Sequence, residues 1–289
     1  MTPAQLEVLI ALHETGNFTS AALRLGITQS GVSHAIRVLE TSLGVKLVDR
    51  HKSPQILTDI GQRLLPHARG VLAQSEALRQ EANAAKGYAT GTLRIGSFGP
   101  TSSVQILPKL LHAFSNRYPG IDVYVEEAPD EVIDQWLIDR RIEIGFVTAP
   151  DDRFDTIPIA QDEFVVLIPE LHALAHHNEI TPSNLSGCPF IMTKAGSNTE
   201  VQAWLTVNKT KPKILFHITQ IISILGVVQS GLALSIVARL SLPNHYPGVI
   251  YRPLNPRAPR KVALAVKNKN DLSPIARVFW DMAIKLTNA

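Results

Sequence analysis

Apolar residues in the first 88 positions recur three and four residues apart, the spacing that gives a helix one buried stripe. From residue 92 onward, short β-branched and aromatic runs alternate with helical stretches. We therefore predict an almost entirely helical first part and an α/β second part. The stripes of the first part are Leu6, Leu9 and Ile10, then Ala21, Ala22 and Leu25, then Val32, Ala35, Ile36, Leu39 and Leu43.

The segment 18–37 has the residue pattern of a helix-turn-helix. Thr19 or Ser20 can cap its first helix, and Gly26 can adopt the positive φ that a tight turn requires. Thr28 can cap the second helix, which we expect to stop at Gly44. One face of this second helix is apolar, so its other face is free to contact a partner.

The runs 46–50 and 56–58 predict two short strands with a turn between them, the pattern of a wing. The whole chain of 289 residues carries a formal charge of only +3. Between Arg24 and Lys52 there are five basic and two acidic residues, so the positive excess is concentrated on this segment.

The outward face of the second helix holds polar side chains and one arginine, a composition suited to base edges and phosphates. An ordinary solvated helix surface has a similar composition. With the basic residues of the wing, the candidate DNA-binding residues are Gln29, Ser30, Ser33, His34, Arg37, Arg50 and Lys52.

Residues 58–86 predict one long helix with a heptad-like seam. The seam suits pairing with a second subunit, and it could equally pack against the helices before it. Pro66 and Gly70 lie inside the helix and predict a kink there. The seam residues are Leu64, Ala68, Val71, Ser75, Leu78 and Ala82.

The two glycines of the segment 86–91 stand where the pattern changes, and we expect a hinge there. The 198 residues that follow exceed one small sheet, so two subdomains are expected, with parallel strands covered by helices. The predicted strands are 93–98, 121–128, 143–149, 164–170, 189–193, 213–218, 233–238, 249–254 and 260–267. The predicted helices are 104–118, 131–140, 198–208, 220–230 and 274–286.

Small polar loops follow several of these strands, where open α/β sheets bind their ligands. Hydroxyls, backbone N–H groups and Lys194 favour a small anion, whereas Phe98, Phe146 and Ile191 would also accommodate an aromatic acid. Each residue taken alone could simply cap a helix. The candidate effector-binding residues are Ser97, Thr101, Ser102, Thr148, Lys194, Ser197, Asn198, Thr199 and Gln220.

Catalytic, metal and membrane functions find little support. The single cysteine, Cys188, excludes an internal disulfide framework and a thiolate zinc site. His172, His176 and His177 have metal-like spacing, but only Glu170 and Glu179 lie near them in the sequence. Motifs for nucleotide binding or nucleophilic catalysis do not occur, so we predict no cofactor, no metal and no enzyme activity.

The uncharged stretch 218–238 is interrupted by polar residues and a glycine at 229–231, which predicts two short elements and not a membrane span. The N-terminus lacks the basic region of a signal peptide, so a cytoplasmic location is expected. Charge is segregated: residues 122–152 contain ten acids and two arginines, and residues 252–269 contain six basic residues and no acid. These patches could join subunits or could be separate solvated faces.

The N-terminal segment resembles that of LysR-type transcriptional regulators, and the α/β remainder fits the same family. The resemblance implies a multidomain α+β fold: a winged helix-turn-helix, a long linker helix, and an effector domain of two subdomains like those of type 2 periplasmic binding proteins. The matching residues are Phe18, Ala21, Ala22 and Leu25; Thr28, Gln29 and Ser30; Val32 and Ser33; Leu39 and Glu40; Leu43 and Gly44; Leu47 and Arg50; and Leu57, Thr58 and Gly61.

From the pattern and the resemblance together we predict a DNA-binding domain at 1–58, a linker at 59–88 and an effector domain at 89–289. Its first subdomain is predicted at 92–160 plus 268–289 and its second at 161–267. The resemblance implies double-stranded promoter DNA, a small-molecule effector in the cleft, and a homodimer or homotetramer. The alternatives are a small-molecule binding protein whose N-terminal helices serve only assembly, and an enzyme using Cys188 or the histidines.

Overall fold

The computed structural model describes residues 1–49, 56–85, 90–194 and 197–287. Arg50 and Lys52, which we predict at the tip of the wing, lie outside these ranges, as do residues 86–89 of the predicted hinge. The described chain forms a small helical unit, one long helix and a larger α/β unit.

The N-terminal unit packs three helices beside a two-stranded ribbon. The helices are α1 (Pro3–Thr15), α2 (Phe18–Leu25) and α3 (Gln29–Leu43), and the strands are β1 (Val48–Asp49) and β2 (Ile56–Leu57). The two strands pair antiparallel, with Val48 opposite Leu57. The predicted apolar stripes meet in one core, in which Ala21, Val32, Ile36 and Leu39 are fully buried. Leu43, predicted as the last residue of the α3 stripe, is 40% exposed and lies outside this core because the helix ends there.

The turns of this unit follow the predicted chemistry with one correction. Gly26 and Gly44 both have positive φ, and the Thr28 side chain accepts a hydrogen bond from the backbone N–H of Gly31, as predicted. The prediction that Thr19 or Ser20 caps α2 was wrong. Asn17 is the cap, because its side-chain oxygen accepts from the N–H of Ser20 at 2.7 Å, one turn earlier than expected.

The long helix α4 (Asp59–Ala85) continues through Pro66 and Gly70, so the predicted kink does not interrupt it. Its first turns pack on the N-terminal core through Leu64 and Ala68. Further along, Val71 is 44% exposed and Leu78 is 71% exposed. The seam therefore serves intramolecular packing at one end and leaves an apolar surface at the other.

The α/β unit contains nine strands among the described residues, in the order β4-β3-β5-β11-β6-β9-β7-β8, with β10 paired to β6. As predicted, β3 is parallel to β4 and β5, and β7 is parallel to β8 and β9. The strands are β3 (Gly91–Ser97), β4 (Ile121–Glu127), β5 (Ile144–Ala149), β6 (Asp155–Pro169), β7 (Pro189–Thr193), β8 (Lys213–Ile218), β9 (Leu234–Ala238), β10 (Val249–Pro253) and β11 (Pro259–Val266).

Helices cover the sheet and enclose separate cores in its two halves. Phe114, Phe146 and Phe279 are fully buried in the first half, and Phe190 in the second. The helices are α5 (Pro100–Gln105), α6 (Leu107–Arg117), α7 (Asp130–Ile138), α8 (Pro182–Leu185), α9 (Asn198–Val207), α10 (Ile221–Gln229) and α11 (Pro274–Thr287). Short 3₁₀ turns lie at Ala173–His176, Arg239–Ser241 and Lys269–Asp271.

Two expectations about the α/β unit need correction. Strand β6 begins at Asp155, not at residue 164, and it crosses from one half of the sheet to the other: it pairs with β11 up to Glu163 and with β9 from Phe164. Strand β11 pairs antiparallel with β5. It therefore belongs to the first half of the sheet, whereas the sequence assigned residues 259–267 to the second subdomain. Connection lengths alone did not show which neighbours this strand would take.

Among the described helices, none combines the length and the hydropathy that crossing a bilayer requires.

Candidate functional site

The exposed face of α3 carries the predicted DNA-binding side chains. Val32, Ile36 and Leu39 bury the opposite face of α3 in the core, and this fixes the orientation of the helix about its own axis. The Thr28 hydroxyl lies 3.0 Å from that of Ser30 and so engages it at the start of the helix. Gln29, Ser30, His34 and Arg37 are exposed, and Ser33 is partly buried.

Glu40 fixes the wing relative to α3. Its side chain is buried, and its Oε1 accepts hydrogen bonds from the backbone N–H groups of Leu47 at 2.9 Å and Val48 at 3.3 Å. Lys46 Nζ lies 3.4 Å from Oε2. In the sequence, Glu40 stands out only as one of the residues that match the LysR-type pattern. A carboxylate four residues after the buried Ile36, on the apolar stripe, is the signal that could have identified this role.

An ion-pair chain joins the N-terminal unit to the α/β unit. Arg69 on α4 lies 3.2 Å from Glu14 on α1 and 3.8 Å from Asp139, which follows α7. Glu14 also pairs with Arg24 on α2 at 2.7 Å. The pKa of the neighbouring His13 is lowered, mainly by burial and secondly by the positive charge of Arg69. His13, Glu14, Arg24 and Arg69 border a cleft of about 1000 Å³ between α1, α4 and the β3–β4 edge.

The predicted loop after β3 is held together by its own hydroxyls. Ser97 Oγ lies 2.6 Å from the hydroxyls of both Ser102 and Ser103, and Ser97 and Ser102 are fully buried. Thr101 is buried too, but its Oγ1 turns to another strand and accepts a hydrogen bond from Arg260 Nη2 at 2.8 Å.

Arg260 lies at the crossing of the two halves of the sheet. Its side chain is 4% exposed, and its Nε donates to Asp162 Oδ2 at 2.9 Å. The guanidinium lies over the rings of Phe98 and Phe164, at 5.6 and 5.2 Å from their centroids. Its Nη1 is buried and has no hydrogen-bond partner among the described residues.

In the sequence, Arg260 is one of six basic residues in the block 252–269. Its position in β11 could have singled it out, because Arg260, Val262 and Leu264 lie two residues apart on the same face of the strand and both apolar residues are fully buried. A charged residue on a buried face of a strand requires partners.

Asp130, the first residue of α7, is a second group that sequence reasoning missed. Thr148 Oγ1 donates to its Oδ2 at 3.5 Å, so the predicted Thr148 lies beside it. Burial raises the pKa of Asp130 to about 6; Arg260 opposes this shift and Glu200 adds to it. The ionisation of Asp130 therefore depends on the charges of both Arg260 and Glu200. An acid in the first turn of a helix is so common that nothing in the sequence marked it.

The remaining candidate residues come from the second half of the sheet. Ser197 and Asn198 are partly buried at the start of α9, and Thr199 is exposed. Asn198 Oδ1 is buried, with no hydrogen-bond partner in the described ranges. Lys194 and Gln220 are exposed. The charge of Glu200, in the first turn of α9, contributes to the raised pKa of Asp130, so the start of α9 lies within electrostatic range of the start of α7.

His172 and the cysteine have structural contacts, whereas His176 and His177 are exposed. His172 Nδ1 accepts from the N–H of Leu174, which makes it a cap. Cys188 Sγ lies 3.1 Å from the Asn184 carbonyl oxygen, and burial raises the pKa of its thiol, which disfavours the reactive thiolate. Within the described ranges, no group of three or more His, Cys, Asp or Glu side chains could hold a metal ion.

Comparison with known proteins identifies both parts of the chain. Residues 3–62 match the family model of the bacterial regulatory helix-turn-helix protein, lysR family, and residues 86–287 match that of the LysR substrate binding domain. The uncharacterized HTH-type transcriptional regulator YvbU of Bacillus subtilis is 34% identical over the full length of both chains. The probable HTH-type transcriptional regulator LrrA of Synechococcus elongatus is 36% identical, covering 83% of this chain and 82% of its own.

Solved structures show the same fold. A variant of full-length OxyR from Pseudomonas aeruginosa superposes with a TM-score of 0.73 at 24% identity, covering 99% of this chain and 95% of its own. The LysR family transcriptional regulator CbnR gives a TM-score of 0.68 at 22% identity and covers 99% of both chains. The predicted fold class is confirmed. With both family models matched and the helix-turn-helix and two-part α/β unit in place, the chain belongs to the LysR family of DNA-binding transcriptional regulators.

Proposed function

We propose that this protein binds double-stranded promoter DNA through α3 and the wing, and that a small effector changes DNA binding or bending. The effector would bind beside Arg260, in a cleft between the two halves of the α/β unit that is distinct from the cleft beside α1 and α4. The observation that carries the proposal is the polar, exposed face of α3, held outward by a fully buried opposite face. Gln29 and Arg37 would contact base edges, and Ser30, Ser33 and His34 the groove or phosphates. Arg50 and Lys52, outside the described residues, are proposed phosphate contacts of the wing.

The exposed seam residues of α4 support assembly. Val71 and Leu78 form an apolar surface that faces away from the N-terminal core, as expected if α4 pairs with α4 of a second copy. We infer a homodimer through this surface, or a homotetramer built from two such pairs. A dimer suits an imperfect inverted repeat in DNA because each copy places one α3 in one half-site.

We also propose the domain boundaries of the chain and the residues that surround the effector. Residues 1–58 would bind DNA, 59–88 would link, and 89–289 would bind the effector, with residues 259–266 assigned to the first subdomain because of the β5–β11 pairing. Thr101, Thr148, Ser197, Asn198 and Thr199 would surround the effector. Ser97 and Ser102 would shape the loop, and Lys194 and Gln220 would lie at the rim.

The relatives are transcriptional regulators, and we propose no catalytic role for this chain. We place it in the cytoplasm, where promoter DNA is available. No cofactor or metal takes part in the proposed function.

Selection of DNA from a random pool of duplexes by the full-length protein tests the DNA-binding function. The expected result is enrichment of an inverted repeat, and Arg37→Ala should weaken binding to it by about tenfold or more, as loss of a base contact does. Arg277→Ala, an exposed arginine on α11, is the matched control and should bind normally. If no sequence is enriched, the N-terminal helices serve only assembly.

The role of the proposed effector site is tested by measuring the effector response of variants on the selected DNA. Thr101→Ala and Ser102→Ala should leave DNA affinity unchanged and reduce the response to effector, because both residues lie in the α/β unit, far along the chain from α3. A normal response in both variants would remove the loop after β3 from the effector site.

A further inference from the structure

The chemistry of the cleft residues indicates what the effector carries; this inference rests on the proposed function. Asp130 begins α7 in the first half of the α/β unit, and Glu200 lies in the first turn of α9 in the second half. Each carboxylate is a hydrogen-bond acceptor. Asn198 Oδ1, two residues before Glu200, is a further acceptor that has no partner in the described parts of the chain.

Only one buried donor at this place lacks a partner among the residues described, and it is Arg260 Nη1. The other two nitrogens of that guanidinium are occupied by Asp162 and Thr101. A buried guanidinium N–H without a partner is costly, so a ligand acceptor at this position would be favourable. The buried atoms without a partner at this place, among the described residues, are thus one acceptor, Asn198 Oδ1, and one donor, Arg260 Nη1, and the two carboxylates add further acceptors.

The charges give the same result. Asp162 offsets the charge of Arg260 at 2.9 Å, which leaves Asp130 and Glu200 as two negative charges within electrostatic range of each other. A ligand that is only an anion would meet both carboxylates, and like charges in a partly buried site repel strongly. A positive group between Asp130 and Glu200 would relieve that repulsion.

We propose that the effector is a small zwitterion of the amino-acid type, whose ammonium group binds Asp130 and whose carboxylate binds Arg260 Nη1. Thr148 orients the Asp130 carboxylate through its hydroxyl, and Asn198 Oδ1 accepts a further ammonium hydrogen. This proposal replaces the small anion or aromatic acid that we expected from the sequence. The sequence indicated the hydroxyl-rich loops, but it did not show that Asp130 and Glu200 lie near them.

Asp130 is ionised at neutral pH, since its pKa is about 6. The groups that set this value are Arg260 from β11, Glu200 from α9, and Asp134 one turn along α7. An ammonium ligand would bind the ionised form. Binding of the ligand should therefore weaken as the pH falls below about 6, whereas an amino acid keeps both of its own charges between pH 5 and 7.5.

The test is a thermal-shift screen of the full-length protein with three matched sets at millimolar concentration: the twenty common amino acids, the corresponding 2-hydroxy acids, and the corresponding amines without the carboxylate. We expect one or a few amino acids to stabilise the protein, and their hydroxy-acid and amine counterparts to have no effect. Stabilisation by hydroxy acids as strong as by amino acids overturns the proposal, and so does the absence of any shift with the whole amino-acid set.

A variant pair locates the binding group. Asp130→Asn keeps the size of the side chain and should weaken binding of the amino acid by about tenfold or more, the worth of a charge-assisted hydrogen bond. Asp122→Asn, on the exposed surface of β4, should bind as the wild type does. In the wild type, affinity should fall between pH 7.5 and 5, and in Asp130→Asn it should not. Equal affinity in Asp130→Asn and the wild type contradicts the proposal.

Failure here is distinct from failure of the proposed function. DNA selection uses no ligand, so an inverted repeat enriched by a protein that binds no amino acid leaves the regulator intact and removes only the zwitterion. The loss of sequence-specific DNA binding would instead remove the regulatory role, whatever the cleft binds.

Discussion

Arg69 on the linker helix α4 donates a hydrogen bond to Glu14 on α1 at 3.2 Å. The same guanidinium lies 3.8 Å from Asp139, directly after α7, whose first residue is Asp130. Helix α7 therefore runs from Asp130, a residue of the proposed effector site, to the arginine that pairs with Glu14 of the DNA-binding unit. If α7 shifts on ligand binding, the Arg69–Asp139 ion pair changes, and with it the position of Arg69 relative to Glu14.

Replacing Arg69 by methionine should destabilise the protein by about 2–3 kcal/mol, because Glu14 and Asp139 would be left partly buried without their shared cation. Arg69 is only 7% exposed. Arg79→Met is the matched control on the same helix: its side chain is 69% exposed and pairs with Glu76, so we expect a loss of about 0.5 kcal/mol or less. Thermal unfolding measures both. Equal losses in the two variants would contradict a special role for Arg69.

Two glycines of α4 should respond in opposite directions to alanine. A Cβ at Gly61 would overlap the carbonyl oxygen of Leu47, which leads into the wing, so Gly61→Ala should cost about 2 kcal/mol and weaken DNA binding. A Cβ at Gly70 would meet only Arg140 Cδ at 3.5 Å, and alanine there should stabilise the helix by about 0.5–1 kcal/mol. Urea unfolding compares them, and a destabilised Gly70→Ala protein would show that the packing around α4 is tighter than described.

The unliganded protein should be stabilised by Asp130→Asn at neutral pH. Burial, the main cause, raises the pKa of Asp130 from 3.8 to about 6. The folded protein therefore binds this proton more tightly than the unfolded chain does, and stability falls as the pH rises from about 4 to about 6. The gain of the variant should be about 3 kcal/mol at pH 7.5 and about 1 kcal/mol at pH 4.5. A gain that is the same at both pH values would mean that ionisation of Asp130 costs the fold nothing.

The sequence was most informative where local chemistry decides the structure. The stripes of α1 to α3, the turn at Gly26 and the Thr28 cap depend on neighbours in the chain, and the structure has them as predicted except at Leu43, which is exposed at the end of α3. Asn17 was missed for a local reason: Thr19 and Ser20 are equally good caps, and the C-terminus of α1 at Gly16 decides which position is used.

The cleft was less predictable because its groups meet across long stretches of chain. Thr101 and Arg260 are 159 residues apart in sequence, and Arg260 and Asp162 are 98 apart. Their meeting depends on β11 inserting between β5 and β6. Without that strand order, Arg260 was indistinguishable from the five other basic residues of its block.

We predict that a ligand bound at the proposed effector site changes how α3 binds DNA, and a single binding experiment checks this. It measures the affinity and gel mobility of the full-length protein on its selected inverted repeat, with and without the compound that gives the largest thermal shift among amino acids, small carboxylates and aromatic acids. We expect the compound to change the dissociation constant or the mobility of the complex in the wild type, and to change neither in Thr101→Ala. An identical dissociation constant and mobility with and without a compound shown to occupy the cleft would contradict the account.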